Sequence, residues 1–197
     1  MRDLTFDTET SSFYDKSKPL RREHQTVQLM ELAAILSDGD TILNSFHMYV
    51  RPADLDSLKV DPKAFAAHGI DRPRLERYGI APRAAAAMFN NMARTADRII
   101  AHNLEFDLSI MEITYDECGI RMDVINALKQ VCTVQSSKSV VKIVTPGKGG
   151  YKYPTLTEAY AALVDPVGFT GAHGAWADTN ACWKVFRALV KGGHLKD

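Results

Sequence analysis

Hydrophobic positions along the chain fall into short runs and longer stripes, and the short runs predict the strands. Four segments have the apolar and β-branched composition that is typical of strands, namely residues 4–9, 27–36, 41–50 and 98–101. The sequence Asp38-Gly39-Asp40 separates the second and third segments and predicts a hairpin turn. The polar stretch 11–25 carries several basic residues and a proline, which predicts a loop.

The helices are predicted from apolar stripes and from residues that favour helix ends. Helical signals mark residues 61–69, 81–95 and 103–118, a segment that opens with residues 155–158, and residues 175–191. The stretch 145–150 is rich in glycine and predicts the most flexible loop. Three strands, helices, a strand and further helices follow one another without a linker. This order predicts one α/β domain with a mixed sheet over residues 1–197.

The composition is that of a globular protein. Hydrophobic residues make up 46% and charged residues 24% of the 197 positions, which excludes disordered and collagen-like chains. No apolar run approaches the roughly 20 residues that cross a bilayer, and the acidic N-terminal segment is unlike a signal peptide. Three widely spaced cysteines indicate reduced thiols rather than a disulfide framework or a zinc site. We therefore expect a cytoplasmic protein that does not bind membranes.

Charge is balanced overall but unevenly distributed. The 24 basic and 24 acidic residues give no net charge, which argues mildly against a nucleic-acid-binding protein. Residues 103–120 nevertheless contain five acids and no base, whereas residues 121–153 contain six bases and one acid. This asymmetry fits either an acidic, cation-binding centre beside a basic surface or two solvated helix faces.

Two carboxylates close the first predicted strand. Asp7 and Glu9 are two residues apart, so they project from one face of the strand. Partly buried carboxylates at this spacing repel each other unless a cation lies between them, and Mg²⁺ or Mn²⁺ prefers such oxygen ligands. The alternative is an ordinary strand end, with one acid in solvent and the other capping a loop.

A third acid lies on the helix that follows the strand at residues 98–101. Asp107 shares a helical face with Ile110, Met111 and Thr114, which places it on an apolar stripe that faces inward. Burial of a carboxylate costs several kcal/mol unless it is paired or bound to a metal. Asp107 is therefore either a metal ligand or an acid with a structural partner.

A histidine and a fourth acid mark the start of the last helix. Asp178 heads the apolar stripe of that helix. An unbroken helix would place His173 about 140° away from Asp178, so we expect His173 on the preceding loop, between Gly171 and Gly174. From there an imidazole can reach a water molecule near a metal cluster, although a lone histidine is often structural or simply exposed.

Taken together, the order of these residues resembles the DnaQ-like 3′→5′ exonucleases, in the branch with a catalytic histidine that is called DEDDh. The resemblance extends from Leu4 to about Leu189 and includes the segments Ala67-His68-Gly69-Ile70 and His102-Asn103. The sister branch carries a tyrosine four residues before the last aspartate, where this chain has Gly174. The resemblance implies a ribonuclease-H-like fold, with a mixed five-stranded sheet flanked by helices.

The resemblance also implies the roles of the site residues. Asp7, Glu9, Asp107 and Asp178 would bind two Mg²⁺ or Mn²⁺ ions, and His173 would be the general base. Such metal pairs lower the pKa of a water molecule and neutralise a phosphodiester, while histidine has a reference pKa of ~6.5 and can accept the proton. The products would be nucleoside 5′-monophosphates released from 3′ ends.

The same resemblance places the nucleic-acid 3′ end beside the first strand, where an aromatic residue of the following loop can stack on a base. From the residues themselves, a basic segment with interleaved tyrosines, residues 138–153, either follows the phosphate backbone or is a loop of solvated lysines. Structural alternatives are a hydrophobic anchor of the loop for Phe13, a helix end for His68, an N-cap for Asn103 and a core position for Phe106. The candidate substrate-binding residues are Thr10, Ser11, Phe13, His68, Asn103 and Phe106.

Three functions are compatible with these residues. The leading hypothesis is a metal-dependent 3′→5′ exonuclease that acts on single-stranded DNA, without a polymerase-binding tail after the last helix. The alternative is an RNA 3′-end-trimming exonuclease of the RNase T or oligoribonuclease kind, because the residues that would contact a 2′-hydroxyl are not apparent. A non-catalytic module that binds nucleic acid or a polymerase is disfavoured, since all four acids and the histidine are present.

Overall fold

Five strands form one mixed sheet in the computed structural model, which describes residues 1–145 and 149–196. The strands are β1 (Arg2–Thr10), β2 (Leu29–Asp38), β3 (Thr41–Tyr49), β4 (Arg98–Ala101) and β5 (Lys129–Cys132). Their order across the sheet is β3-β2-β1-β4-β5. The β1–β2 and β2–β3 pairs are antiparallel, and the β1–β4 and β4–β5 pairs are parallel. The predicted mixed five-stranded sheet is therefore confirmed.

Helices cover both faces of this sheet. The α-helices of the described ranges are α1 (Pro62–His68), α2 (Arg72–Tyr78), α3 (Pro82–Ala93), α4 (Leu104–Cys118), α5 (Asp123–Asn126), α6 (Thr133–Val141), α7 (Leu156–Leu163) and α8 (Ala175–Lys191). Helices α3 and α4 bury the larger part of the core against one face, and α8 packs with α7 on the other. Among these helices, none has both the length and the apolar composition required to span a membrane.

Several helix ends follow the signals in the sequence. The Asp61 side chain accepts a hydrogen bond from the Lys63 amide, and Gly69 ends α1 in the left-handed conformation with φ 65°. Thr155 and Glu158 form a reciprocal capping box at the start of α7. The predicted termini of α1 and α7 are therefore confirmed.

Other elements were not predicted from the sequence. Strand β5 is short and half polar, and its extended conformation depends on pairing along its whole length with β4. Helix α6 follows it directly, and α5 comes just before it. Helix α2 opens at Asp71, whose side chain accepts a hydrogen bond from the Arg74 amide. Within the predicted flexible stretch 145–150, positions 146–148 and thus Lys148 lie outside the described residues.

Alternation along β1 determines which of its side chains face α8. Leu4 and Phe6 point toward α3 and α4, where the ring of Phe6 lies 4.9 Å from that of Phe89. Asp7 and Glu9 belong to the opposite set of side chains and face α8. The two acids that follow the apolar part of β1 therefore lie at the end of a central strand, beneath the start of the last helix.

Candidate active site

Three carboxylates converge between the end of β1 and the start of α8. One oxygen atom each from Asp7, Glu9 and Asp178 lies within 4.8 Å of the others. Asp7 and Glu9 project from the same face of β1, and Asp178 comes from the first turn of α8, which packs on that face. The fold thus brings together acids from opposite ends of the chain.

Asp107 approaches the same place from the first turn of α4. Its Oδ1 atom accepts hydrogen bonds from the Thr8 amide at 3.0 Å and from the Thr8 hydroxyl at 2.7 Å. The side chain is only 2% exposed, and its charge contributes to raising the pKa of Asp7. Asp107 therefore belongs to the acidic cluster electrostatically, while Thr8 fixes its orientation. Its role as a metal ligand stays a prediction.

Burial raises the pKa of every carboxyl group in this cluster. It raises the pKa of Glu9 to about 8 and that of Asp107 to about 7. Burial, and then repulsion by Asp107 and Glu9, raises the pKa of Asp7 well above its usual value. Burial also raises the pKa of Asp178. Burial therefore disfavours the charged forms of these four groups in the protein alone, whereas a bound cation would favour them.

The available donor atoms fit a hard divalent cation. Asp178 Oδ1 is buried and has no hydrogen-bond partner among the described atoms, so it is desolvated and free to act as a ligand. Carboxylate oxygens are the ligands that Mg²⁺ and Mn²⁺ prefer. Asp7, Glu9 and Asp178 are thus the residues that would hold a metal ion here, with Asp107 beside them.

His173 lies on the loop before α8, as the spacing predicted. Its backbone amide donates a hydrogen bond to Asp178 Oδ2 at 3.2 Å, and its side chain is exposed at the rim of the cluster. The residue has φ 68°, in the left-handed region that residues other than glycine adopt at some cost. Gly171, two residues earlier, has φ 80° and supplies a left-handed conformation that glycine adopts readily. The loop thereby ties the histidine backbone to one of the metal-binding candidates.

Buried contacts hold the loop that follows β1. Ser11 is fully buried, its hydroxyl accepts a hydrogen bond from the Gln28 amide, and its carbonyl accepts one from the Asp61 amide. The Thr10 hydroxyl donates to the Ser12 carbonyl. These contacts give Ser11 and Thr10 a scaffolding position, and their direct contact with substrate stays a prediction.

His68 connects α1 to the end of β1. Its Nε2 atom donates to the Thr10 carbonyl at 3.1 Å, and its Nδ1 atom accepts from the Ile70 amide at 3.0 Å. Burial lowers the pKa of His68, which favours the neutral ring that these two bonds require. Hydrogen bonds at both ring nitrogens therefore hold His68 beside the end of β1. Its contact with substrate stays a prediction.

Aromatic side chains form a surface beside the acids. Phe13 is 81% exposed, and its ring lies 5.8 Å from that of Phe106 in an edge-to-face arrangement. The ring of Tyr14 lies 5.9 Å from Phe106 on a second side. Phe106 itself packs partly against the main core, so it supports the exposed Phe13. This arrangement offers a base an exposed ring on which to stack.

Asn103 lies at the N-cap position of α4, but its side chain does not cap the helix. Its backbone is left-handed, with φ 82°, and it makes no side-chain capping hydrogen bond. Capping requires an extended backbone that directs the side chain toward the first free amides. The predicted side-chain cap is therefore wrong, and the exposed amide of Asn103 remains a candidate for substrate contact.

The basic segment 138–153 is attached near the ends of β4 and β5. His102, which follows β4, donates from Nε2 to the Pro154 carbonyl at 3.2 Å. Burial lowers the pKa of His102 to about 4, so the ring is neutral. Lys138 Nζ lies 4.0 Å from the centre of the Tyr153 ring, and Lys152 pairs with Glu158. Contact between the basic segment and a phosphate backbone stays a prediction.

A fifth acid, Glu31, lies beside this cluster and was not predicted from the sequence. This residue is 4% exposed on β2 and lies directly opposite Glu9 in the antiparallel pair. Its Oε1 atom accepts a hydrogen bond from His47 Nε2, and its Oε2 atom accepts one from the Ala175 amide at 3.0 Å. Repulsion by Glu31 contributes to the raised pKa of Glu9. A single acid within the apolar run 29–36 is the sequence signal that could have identified it.

Known exonucleases share this fold. E. coli exonuclease I in complex with a dT13 oligonucleotide has a TM-score of 0.76 and 18% identity, over 96% of this chain and 41% of that chain. Exonuclease I from Methylocaldum szegediense has a TM-score of 0.72 and 15% identity, over 96% and 40%. The chain thus spans about two fifths of the length of these neighbours. No curated protein sequence matches this chain significantly.

The sequence profile of the RNase T exonuclease family matches residues 4–186. The match includes β1, the strand–helix unit of β4 and α4, and most of α8, which are the elements that carry the acids. Because this match covers most of the chain and agrees with the fold, the chain belongs to the RNase T, or DnaQ-like, exonuclease family, which hydrolyses phosphodiester bonds.

Proposed function

We propose that this protein is a metal-dependent 3′→5′ exonuclease that releases nucleoside 5′-monophosphates from single-stranded DNA ends. The observation that carries the proposal is the convergence of Asp7, Glu9 and Asp178 within 4.8 Å, with the buried Asp107 beside them. The raised pKa values of these acids mean that the cluster favours a bound cation at neutral pH. One catalytic domain comprising residues 1–197 would carry this activity.

The residues of this site have distinct roles in the proposed reaction. Bound divalent cations would neutralise the phosphodiester and lower the pKa of the attacking water. His173 lies at the rim of the cluster, where its imidazole would accept the proton of that water. The hydrogen bond from its amide to Asp178 keeps this loop next to the acids. Thr8 orients Asp107 through two further hydrogen bonds.

Two observations favour single-stranded DNA as the substrate. The similar fold of E. coli exonuclease I is known in complexes with dT13 and dA16 oligonucleotides. In this chain the exposed Phe13, supported by Phe106, lies on the loop that leaves β1 just after Glu9. Stacking of a base on such a ring contributes ~1–3 kcal/mol, and duplex bases are not available for it. His68, Asn103 and the Thr10 loop would surround the terminal nucleotide.

The test uses 5′-labelled single-stranded DNA and RNA of matched sequence, each incubated with Mg²⁺, Mn²⁺ or EDTA. We expect a ladder that shortens from the 3′ end on DNA and is abolished by EDTA. The variant Asp7→Ala should be inactive, and Glu105→Gln, which changes an exposed acid of α4, should retain activity. Shortening of RNA alone would instead support 3′-end trimming of RNA. Failure to shorten either substrate would contradict the proposal.

A further inference from the structure

A row of polar contacts fastens α8 to β2 and to the turn that follows it. Every fourth residue from the first turn of α8 to its last takes part, namely Ala175, Thr179, Trp183, Arg187 and Lys191. Their partners are, in order, Glu31 Oε2, the Ala33 carbonyl, Ser37 Oγ and, for the last two, the carboxylate of Asp40. The distances are 3.0, 3.3, 3.1, 3.1 and 2.9 Å.

The row follows from the two backbone periodicities. Residues four apart are neighbours on a helix surface and form a ridge inclined to the helix axis, and residues an even number apart lie on one face of a strand. Helix α8 runs in the same direction as β2, so successive contacts along the helix meet successive positions of the strand. A shift of α8 along β2 would therefore break several hydrogen bonds at once.

Glu31 forms the contact at the end of the row that meets the acidic cluster. The first amides of a helix have no partner within the helix, and Gly174, at the N-cap, provides no side chain to accept from them. Glu31 supplies the missing acceptor from another element, and a negative charge at this end of a helix is favourable. His47 holds the other carboxylate oxygen, so both oxygens of Glu31 are engaged.

Two residues of β2 that contact α8, Glu31 and Ala33, also lie beside the acids of β1. In the antiparallel pairing Glu31 lies opposite Glu9, and Ala33 lies opposite Asp7. The Glu31 carboxylate and the Ala33 carbonyl also accept hydrogen bonds from α8, from the Ala175 amide and the Thr179 hydroxyl respectively. Ala175 and Thr179 are close neighbours of Asp178 along that helix. Positions 31 and 33 of β2 thus connect the acids of the first strand with the acid of the last helix.

We propose that Glu31 is a positioning residue that sets Asp178 and the His173 loop against Asp7 and Glu9. Its effect on catalysis rests on the function proposed above, whereas its effect on the placement of α8 does not. Because both oxygens of Glu31 already accept hydrogen bonds, it acts by holding the helix rather than as another metal ligand.

Two conservative variants separate the effect of the length of the Glu31 side chain from the effect of its negative charge. Glu31→Gln keeps an oxygen that can accept from the Ala175 amide but removes the charge, whereas Glu31→Asp keeps the charge and shortens the side chain by one carbon. Glu31→Ala removes both. Asp40→Ala is the matched control, because it breaks the row at the far end of α8 and leaves the acidic cluster untouched.

Three readouts are measured on each folded variant: Mn²⁺ affinity by calorimetry, hydrogen exchange of amides 175–179, and kcat and KM on single-stranded DNA. We expect Glu31→Ala and Glu31→Asp to weaken Mn²⁺ binding about 10–100-fold, with faster exchange at Ala175 and a matching loss in kcat. Glu31→Gln should stay within about threefold of the wild type in each readout. Asp40→Ala should match the wild type in Mn²⁺ affinity and kcat.

Wild-type Mn²⁺ affinity and unchanged exchange in Glu31→Asp would overturn the proposal, as would an equal loss in Glu31→Gln. An equal loss of Mn²⁺ affinity in Asp40→Ala would also overturn it, because general loosening of α8 would then explain the effect. If the wild type cleaves neither DNA nor RNA, the proposed function fails, while Mn²⁺ affinity and hydrogen exchange still test the placement of α8.

Discussion

The acidic cluster should make the metal-free protein less stable as the pH rises, and divalent cations should reverse this loss. In the folded chain the pKa of Glu9 is raised from 4.5 to about 8, and that of Asp107 from 3.8 to about 7, mainly by burial. The folded state therefore retains protons that the unfolded chain has already released. The free energy of unfolding consequently falls as the pH rises toward and through these folded-state pKa values.

The interval from pH 6.5 to 8.5 lies above most of the opposing effect of a buried histidine. Burial lowers the pKa of His102 from 6.5 to about 4. Its contribution has the opposite sign, because folding becomes more favourable as the pH rises from 4 through 6.5, and only about 0.4 kcal/mol of this gain remains above pH 6.5, where half of the unfolded histidine is still protonated. Between pH 6.5 and 8.5 the carboxyl groups of Glu9 and Asp107 still release protons in the folded state.

Linkage gives the size of the effect over this interval. The pKa of Glu9 is 4.5 in the unfolded chain and about 8 in the folded chain, so its titration lowers the free energy of unfolding by about 2 kcal/mol between pH 6.5 and 8.5. Titration of Asp107 lowers it by about 1 kcal/mol more. Water reaches the half-buried Glu9 and weakens the penalty, so we expect a total of about 2 kcal/mol. For a chain of this length, that lowers the melting temperature by about 4–8 °C.

The assay is thermal unfolding of EDTA-treated protein at pH 6.5 and 8.5, repeated with saturating Mg²⁺ or Mn²⁺. The decrease should be clear in EDTA, and the divalent cation should remove it. Glu9→Gln removes the larger of these two contributions and should reduce the decrease in melting temperature to the part due to Asp107, whereas Glu105→Gln, at an exposed site on α4, should leave the decrease unchanged. A wild-type melting temperature that is constant or rises between these pH values in EDTA would refute the reasoning.

Three further predictions concern activity. Asp7→Ala should abolish hydrolysis while the circular dichroism spectrum stays native, and more than a few per cent of wild-type activity would contradict its place in the metal site. His173→Ala should lower kcat roughly 10²–10⁴-fold, the range for a general base, and an unchanged kcat would mean that another group takes the proton. Phe13→Ala, tested by fluorescence anisotropy in the inactive Asp7→Ala background, should weaken single-stranded DNA binding about 5–100-fold. The exposed Tyr78 of α2 provides the control, because Tyr78→Ala should leave binding unchanged.

The sequence by itself determined those features that depend on local periodicity. Asp7 and Glu9 share a face because side chains alternate along a strand, and Asp178 lies one turn into α8 because an apolar stripe and a glycine mark that helix start. The position of His173 on the preceding loop follows from the same spacing. These relations span a few residues, so covalent geometry encodes them.

Tertiary structure decided what depends on contacts between distant segments. Strand β5 is too polar for its sequence alone to predict a strand, and it is extended because β4 pairs with it. Asn103 has a left-handed backbone at the N-cap position of α4, and its side chain makes none of the capping hydrogen bonds that were expected. Glu31 acquires its role only because the fold brings the first turn of α8 onto β2, 144 residues earlier in the chain. Such contacts form only when the whole core has assembled, so no local pattern of residues specifies them.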